Sequence, residues 1–270
     1  MALTISNAGA RRAIKRWLAR PHRAAARTGT AVLIYHRIAG GTHDERDVTQ
    51  EVFAAQVEEL RRHRVVSLDE ALDELERGDD SPKVVLTFDD GFADVHETAW
   101  PLLRAAQLPF TVYPATAYIG GTMHWEGSTA SAPGPGLSWQ QLEELAASPL
   151  VTVGNHTHTH ARPEDLDADE LDRCTSELQR RLGITPHHFC FTWGVEVAAA
   201  RHLLAARFRS ATTGELGLNH PGVDPLSLRR IPVRGSDPIE FFRAKLTGSL
   251  WPERAYENIV RTAKRTGLGA

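Results

Sequence analysis

The sequence predicts an α/β fold of parallel βαβ units that close as a barrel of about seven strands. Short apolar runs with strand character alternate with amphipathic helical segments over roughly 230 residues, without an internal repeat. Unusual polar clusters follow several of these strands directly, at the strand ends where parallel α/β folds place their chemistry. The 270 residues, 41% hydrophobic and 24% charged, have an ordinary globular composition.

Each strand is predicted from a run of β-branched and aromatic residues, and each helix from an apolar stripe at helical spacing. Ser67 followed by Glu70 is a capping box that begins one of the helices. The predicted strands are 31–35, 84–88, 110–114, 150–154, 188–191, 208–212 and 228–233. The predicted helices are 49–62, 67–75, 93–106, 139–147, 167–182, 196–206 and 238–266. The Gly-, Ser- and Pro-rich segment 117–138 is predicted to be a long loop.

Residues 1–28 form a basic segment ahead of the main domain, which spans 29–270. Eight Lys or Arg and no acidic residue occur in residues 1–43. Ile14, Trp17 and Leu18 would share one face of a helix, which favours an amphipathic helix on an anionic membrane surface. A surface helix or a frayed tail is the alternative.

Several classes of protein are excluded by composition. The net charge of −3 gives no reason to expect nucleic acid as a partner. Cys174 and Cys190 are too few for a disulfide framework and lack CxxC spacing, so free thiols are expected. Neither a transmembrane helix nor the apolar core of a signal peptide is visible, so we expect a cytoplasmic protein, with the inner membrane face as a further location.

The segment Asn-His-Thr-His-Thr-His brings three alternating histidines to the end of a predicted strand. His156 and His160 are spaced i and i+4, so they reach one point in a turn or helical start, whereas His158 aligns with them in an extended segment. Two imidazoles and one carboxylate form an open site for a catalytic divalent metal. The histidines therefore predict a metal site that needs an acidic partner.

Asp89 and Asp90 supply carboxylates at the end of another predicted strand. Two adjacent anions repel each other unless a cation lies beside them, and a metal would give each a separate role, one as ligand and one as base. A turn or a helix N-cap is the alternative, because Asp is favoured at both. Together with the histidines, the pair favours a catalytic site.

These motifs resemble those of a known family. Thr-Phe-Asp-Asp-Gly at 87–91, followed by His-Thr-His-Thr-His at 156–160, resembles the NodB-type polysaccharide deacetylases, carbohydrate esterase family 4. Segments 32–38, 189–194 and 224–233 look like further motifs of the bacterial branch that deacetylates exopolysaccharides. The likeness spans about residues 31–245, and it implies a distorted (β/α) barrel and a hydrolase of carbon–nitrogen bonds other than peptide bonds.

The resemblance also implies roles for individual residues. Asp89 would be the general base, and Asp90, His156 and His160 would hold a divalent metal, zinc by family precedent. The expected substrates are N-acetylhexosamine units, chiefly N-acetylglucosamine, in an oligosaccharide, a polysaccharide or a glycolipid. A backbone N–H of Phe191 or Thr192 is the expected oxyanion donor.

Two departures from the family pattern leave roles open. The arginine that usually holds the catalytic aspartate is absent from the third motif, where Cys190 or Phe191 stands, and Thr192 replaces the usual proline. The late motif that supplies the general acid is not recognisable. His36, at the end of the first strand, is the first candidate acid, with His220 and His124 as alternatives.

Aromatic residues near the predicted site suggest sugar contacts. Trp125 and Trp193 are candidates for stacking on a sugar ring, with core packing as the alternative. Two other functions stay open from the sequence. One is hydrolysis of another C–N bond, as in a deformylase or an amidohydrolase, and the other is a glycan-binding protein with a decayed site.

Overall fold

The computed structural model describes residues 8–19, 28–125 and 133–265. The helices are α1 Ala8–Leu18, α2 Gln50–Leu60, α3 Leu68–Glu76, α4 Trp100–Ala105, α5 Trp139–Ala146, α6 Ala168–Leu182, α7 Arg201–Ala205, α8 Ile239–Leu246 and α9 Trp251–Arg265. The strands are β1 Thr30–Tyr35, β2 Arg37–Ile38, β3 Asp47–Val48, β4 Lys83–Asp90, β5 Phe110–Pro114, β6 Thr122–Met123, β7 Gly134–Pro135, β8 Val151–Val153, β9 His188–Cys190, β10 Ser210–Leu216 and β11 Leu228–Pro232.

Seven parallel strands form the central sheet in the order β8-β5-β4-β1-β11-β10-β9. The two edge strands meet through Asn155, which follows β8. Its backbone N–H donates to the carbonyl of His188 at 2.8 Å, and its carbonyl accepts from the N–H of Cys190 at 2.9 Å. The sheet therefore curls into a nearly closed barrel flanked by helices, which confirms the predicted fold.

Strand β4 shows how the barrel separates its two faces. Val84, Leu86 and Phe88 belong to the large apolar cluster between the sheet and the helices. Val85 belongs to a second, smaller cluster with residues of β1 and β11. Because side chains alternate along a strand, Asp89 falls on the same face as Val85. The sequence of β4 thus sends the first carboxylate into the barrel.

Several predicted elements have different bounds. Strand β4 runs to Asp90 instead of ending at residue 88, and the helix predicted over 93–106 is a π-helical turn, Val95–Ala99, followed by α4. The tail predicted as one helix is two, because the chain turns at Gly248 (φ 69°), between α8 and α9. A left-handed residue ends a helix, and glycine adopts that conformation without steric cost.

Helix α1 packs on the domain. Its Leu18 is buried with Phe241 and Tyr256 of the two C-terminal helices, and Ile14 packs against the same cluster. Trp17, which the sequence predicted to share their face, is 61% exposed, so that prediction was wrong. Most of the predicted basic segment, including 20–27, lies outside the described residues. Within the described part of the chain, no helix has both the length and the apolar character to cross a membrane.

Candidate active site

A cavity of about 310 Å³ opens at the carboxyl ends of the barrel strands. It receives side chains from the ends of β1, β4 and β11 and from the turns after β8 and β9, so residues distant in sequence meet there. Its lining comprises Ile34, His36, Arg46, Asp89, Asp90, Trp125, His156, His160, Trp193, Gly194, Gly214 and Arg230.

Asp90, His156 and His160 form a compact group of metal-ligand type. Oδ1 of Asp90 lies 3.4 Å from Nε2 of His156 and 3.3 Å from Nε2 of His160. One ligand atom from each residue falls within 4.8 Å of the others, and all three side chains are buried. One carboxylate and two imidazoles leave coordination positions open, so the donor set fits a catalytic divalent metal.

Burial opposes the ionisation of Asp90, but hydrogen bonding to His156 and His160 outweighs it and holds the pKa of this carboxyl well below its ordinary value. The carboxylate is therefore charged at neutral pH. Asp90 is thus in the protonation state that a metal ligand requires.

The site carries unusual backbone conformations. Asp90, Thr157, His160 and Trp193 have φ values of 73°, 62°, 57° and 61°, in the left-handed region that residues other than glycine seldom adopt. Strain of this kind persists only where the surrounding structure imposes it, and it clusters at functional sites. At Asp90 the turn breaks the alternation of the strand, so its carboxylate reaches the two histidines while Asp89 stays inside the barrel.

Arg230 of β11 holds Asp89 from inside the barrel. Its Nη1 and Nη2 donate to Oδ1 and Oδ2 of Asp89 at 2.7 and 2.9 Å, and both side chains are buried. Nε donates to the carbonyl of Thr213 at 2.8 Å, and Nη1 also reaches Oγ1 of Thr87. Burial opposes the ionisation of Asp89, but the guanidinium outweighs it and lowers the pKa of the carboxyl.

Residues 76–207 match the family model for polysaccharide deacetylases. The matched segment, just under half of the chain, is a domain of the NodB-type polysaccharide deacetylase family. The protein is 26% identical over 145 residues to a poly-beta-1,6-N-acetyl-D-glucosamine N-deacetylase of Staphylococcus epidermidis, a match that spans 52% of this chain and 48% of that relative. The family that the motifs predicted is confirmed over this segment.

Two solved structures superpose on the fold of this protein. IcaB from Ammonifex degensii superposes with a TM-score of 0.69 at 27% identity, covering 82% of this chain and 97% of that one. A Streptococcus pyogenes deacetylase, PplD, in complex with acetate, superposes with a TM-score of 0.68 at 20% identity, covering 82% and 99%. The second likeness concerns the fold alone.

Arg230 is a residue of the candidate site that the sequence motifs did not predict. The arginine absent from the third motif has its counterpart in Arg230, which comes from a strand 141 residues away from Asp89. The alternation of side chains along β11 could have indicated that Arg230 points into the barrel. Leu228 and Arg230 share the inward face of this strand, while Arg229 is exposed.

The predicted acid candidates lie in three different places. His36 lines the pocket, and burial lowers the pKa of its ring against the opposing effect of Asp90 and Asp89. His124 is exposed. His220 lies near Gly29, at the amino end of the strands, where its Nδ1 is 2.9 Å from Asp80. This position excludes His220 as the general acid. The assignment of His36 as the general acid stays a prediction.

The third motif contributes less to the pocket than the sequence predicted. The Phe191 side chain packs in an apolar cluster with Phe189 and Phe208, and its N–H donates to the carbonyl of Thr212 at 3.0 Å. Both groups of Phe191 are thus engaged elsewhere. Thr192, whose hydroxyl donates to the carbonyl of Ala161 at 2.6 Å, keeps its backbone N–H as the predicted oxyanion donor.

The remaining histidine and the threonines shape the turn between the two ligand histidines. His158 faces away from the ligands, with Nδ1 2.9 Å from Oγ1 of Thr116. Thr157 Oγ1 accepts from the N–H of Ala161, and Thr159 Oγ1 donates to the carboxylate of Glu170. These bonds fix the turn, so the prediction that His156 and His160 meet in a turn is nearer to the structure than the extended alternative.

Trp193 and Trp125 both line the pocket. Trp193 is 38% exposed, and Trp125 is 8% exposed. A second cavity, of about 360 Å³, shares both tryptophans and His160 with the first and continues past Tyr118 and Asp169. The two cavities therefore adjoin each other at Trp125, His160 and Trp193.

Proposed function

We propose that this deacetylase removes N-acetyl groups from N-acetylglucosamine-type units of a glycan in a metal-dependent reaction. The observation that carries the proposal is the placing of Asp89, ionised by Arg230, beside the Asp90, His156 and His160 group in one pocket. Binding alone requires no general base, so a carboxylate placed as a base favours an enzyme over a binding protein. A base beside a metal group serves hydrolysis.

The residues of the chain divide the reaction between them. A divalent metal held by Asp90, His156 and His160 would polarise the acetyl carbonyl and acidify water. Asp89 accepts the proton of the attacking water, and Arg230 fixes the direction of the carboxylate. The Thr192 N–H donates to the developing oxyanion. His36, which follows β1 and lines the same pocket, would give a proton to the leaving amine.

The nature of the sugar is inferred from a relative. The Staphylococcus epidermidis protein is named for activity on poly-beta-1,6-N-acetyl-D-glucosamine. The second cavity beside the pocket, with Trp193 exposed along it, suits a polymer or an oligomer better than a free monosaccharide. We therefore propose an N-acetylglucosamine polysaccharide or a lipid-linked oligomer as the substrate.

The proposal is tested by product analysis on the purified protein. Free acetate is measured against formate and ammonia for a panel of N-acetylglucosamine oligomers, β-1,6-linked polymer and lipid-linked sugars, with metal analysis of the same samples. Acetate release that a chelator abolishes and Zn²⁺ restores is expected. Formate or ammonia as the product would favour a deformylase or an amidohydrolase, and a metallated protein inert on every substrate would contradict the proposal.

We further propose contact with an anionic membrane surface at the cytoplasmic face, through the outer side of α1. Arg12, Arg16 and Trp17 are exposed there, while Lys15 and Leu18 are buried. Basic side chains beside an exposed tryptophan suit anionic headgroups. Sedimentation with anionic liposomes should fall in the Arg12→Glu/Arg16→Glu variant and stay unchanged in Arg62→Glu, an exposed site on another surface. Equal binding by both variants would remove this proposal.

A further inference from the structure

The two ligand histidines are held in different ways. Nδ1 of His156 lies 2.9 Å from the carbonyl of Cys190, which fixes the ring with Nε2 toward Asp90. Nδ1 of His160 is buried and has no hydrogen-bond partner among the described residues. Metal-binding histidines ordinarily donate this second N–H to an oxygen, which sets the tautomer and the orientation of the ring. The orientation of His160 therefore depends on something other than a hydrogen bond.

Trp125 provides the missing restraint through its ring face. The indole stacks on the imidazole of His160 with centroids 4.0 Å apart and planes inclined by 25°. Trp193 meets the same imidazole edge-on, at 5.5 Å and 62°. His160 is 6% exposed and Trp125 is 8% exposed, so the stacked pair is dry. A stacked face limits the tilt of the imidazole and leaves Nε2 directed at Asp90.

Trp125 is itself held by an apolar cluster of Phe92, Met123 and Tyr118. Phe92 and Met123 are buried against it, and Tyr118 packs on its other side with ring centroids 5.7 Å apart. Phe92 is covered in turn by the guanidinium of Arg37, 4.5 Å from the ring centroid. These contacts fix the indole before any ligand arrives, and a preorganised support raises the affinity of a ligand set.

We propose that Trp125 is a positioning residue for the metal ligand His160, in place of the hydrogen bond that this histidine lacks. The inference rests on the proposed metal-dependent function. It assigns to Trp125 a role different from the sugar contact that the sequence predicted. A sugar platform changes the KM of the substrate, whereas a support for His160 changes the affinity of the metal.

The test compares metal affinity in Trp125→Phe and Trp125→Leu by competition with a chromophoric chelator, using Zn²⁺ and Co²⁺ without substrate. We expect Trp125→Leu to bind the metal at least about tenfold more weakly, as for other residues that orient metal ligands. Trp125→Phe keeps a flat face and should stay within about threefold of the wild type. Trp139→Leu, on α5 and outside the pocket, is the matched control and should bind normally.

Kinetics with metal at saturation separate the two roles. The KM of Trp125→Leu for an N-acetylglucosamine oligomer should stay within about threefold of the wild-type value. Unchanged metal affinity in Trp125→Leu, with or without a raised KM, would overturn the inference. If Trp125→Leu does not fold, Trp125→Met is held to the same thresholds. A wild-type protein that binds no metal would instead contradict the proposed function.

Discussion

Asp89 and Asp90 are neighbours in the chain but have different partners. Asp89 continues the inward face of β4 and meets Arg230, while the left-handed turn at Asp90 (φ 73°) sends the second carboxylate to His156 and His160. Alternation along a strand would otherwise point the two carboxylates in opposite directions. Backbone strain at one residue thus lets a single strand end supply both a base and a ligand.

Replacing Asp89 separates these two functions. We expect Asp89→Asn to lose at least about 100-fold in kcat, because a general base contributes about 10²–10⁴-fold. Metal content should stay unchanged, since Asp89 lies outside the ligand group with His160. The measurement is acetate release together with metal analysis of the same preparation. Loss of metal in Asp89→Asn would show that this carboxylate is a ligand.

Arg230 should set the pH dependence of kcat/KM through the pKa of Asp89. The guanidinium lowers the pKa of Asp89, and the base is active when ionised, so Arg230→Met raises that pKa and moves the acid limb of kcat/KM to higher pH. We also expect a fall of about 100-fold in kcat/KM at neutral pH, because the carboxylate loses its orientation.

Arg229→Met is the control for this substitution, because Arg229 is the exposed neighbour paired with Glu215. Its pH profile should match that of the wild type. An acid limb in Arg230→Met that coincides with the wild-type limb would show that Arg230 has no influence on the base.

At the scale of elements, the amino-terminal helix is tied to the carboxyl-terminal pair by buried charges. Nζ of Lys15 lies 2.6 Å from both Oγ of Ser236 and Oδ1 of Asp237. The other oxygen of Asp237 accepts from Lys245 at 2.6 Å. The ammonium of Lys15 also lies 4.4 Å from the ring centroid of Tyr256. Helix α1 is therefore a part of the folded domain.

Lys15→Met should destabilise the protein by about 3 kcal/mol, the order of magnitude for removing one partner of a buried pair. The free energy of unfolding is measured with denaturant. Arg12→Met, one turn earlier and exposed, is the control and should change the stability by at most about 0.5 kcal/mol. A Lys15→Met protein as stable as the control would show that the pair contributes nothing.

Lys15→Met should also make the free energy of unfolding less sensitive to acid. Burial opposes the ionisation of Asp237, but Lys245 and Lys15 outweigh it and lower the pKa of the carboxyl below the unfolded value. The stabilisation that ionised Asp237 contributes is fully present above the pKa that this carboxyl has in the unfolded chain. It is lost as the pH falls toward the lower pKa of Asp237 in the folded protein. Because Lys15→Met raises the folded pKa, the slope of stability against pH in this range should become smaller.

At the scale of the whole molecule, barrel closure assembles the metal group. Asn155 joins the edge strands β8 and β9, and its side-chain amide donates to the carbonyl of Leu171 at 2.9 Å. His156 follows immediately and bonds across the junction to the carbonyl of Cys190. The three side chains are therefore brought together only in the closed barrel, so we expect metal binding there to be coupled to global folding.

Metal should raise the unfolding temperature of the apoprotein. At a free metal concentration of about 100 times Kd, linkage gives about 2.7 kcal/mol, or roughly 5–10 °C for a domain of this size. His160→Ala should lose the shift. His158→Ala is the matched control and should keep it, because His158 bonds Thr116 instead. A shift that persists in His160→Ala would place the metal elsewhere.

The succession of strands along the chain and the placing of Asp89, Asp90, His156 and His160 at strand ends were predictable from the sequence. Each of these depends on local patterns: apolar runs fix strands, and parallel strands bring their carboxyl ends to one edge. Helix bounds were less predictable, as the break at Gly248 shows, because a lone glycine inside a helical pattern does not reveal its φ.

By itself, the sequence determined the barrel class and the family, and it predicted the base and the metal group, since each of these motifs is contiguous. Only the tertiary structure decided three further points. Arg230 holds Asp89 across 141 residues, Trp125 supports His160, and Lys15 of α1 is buried against Asp237 across 222 residues. Such pairings depend on the closure of the barrel and the docking of its terminal helices, which bring together side chains that share no local pattern.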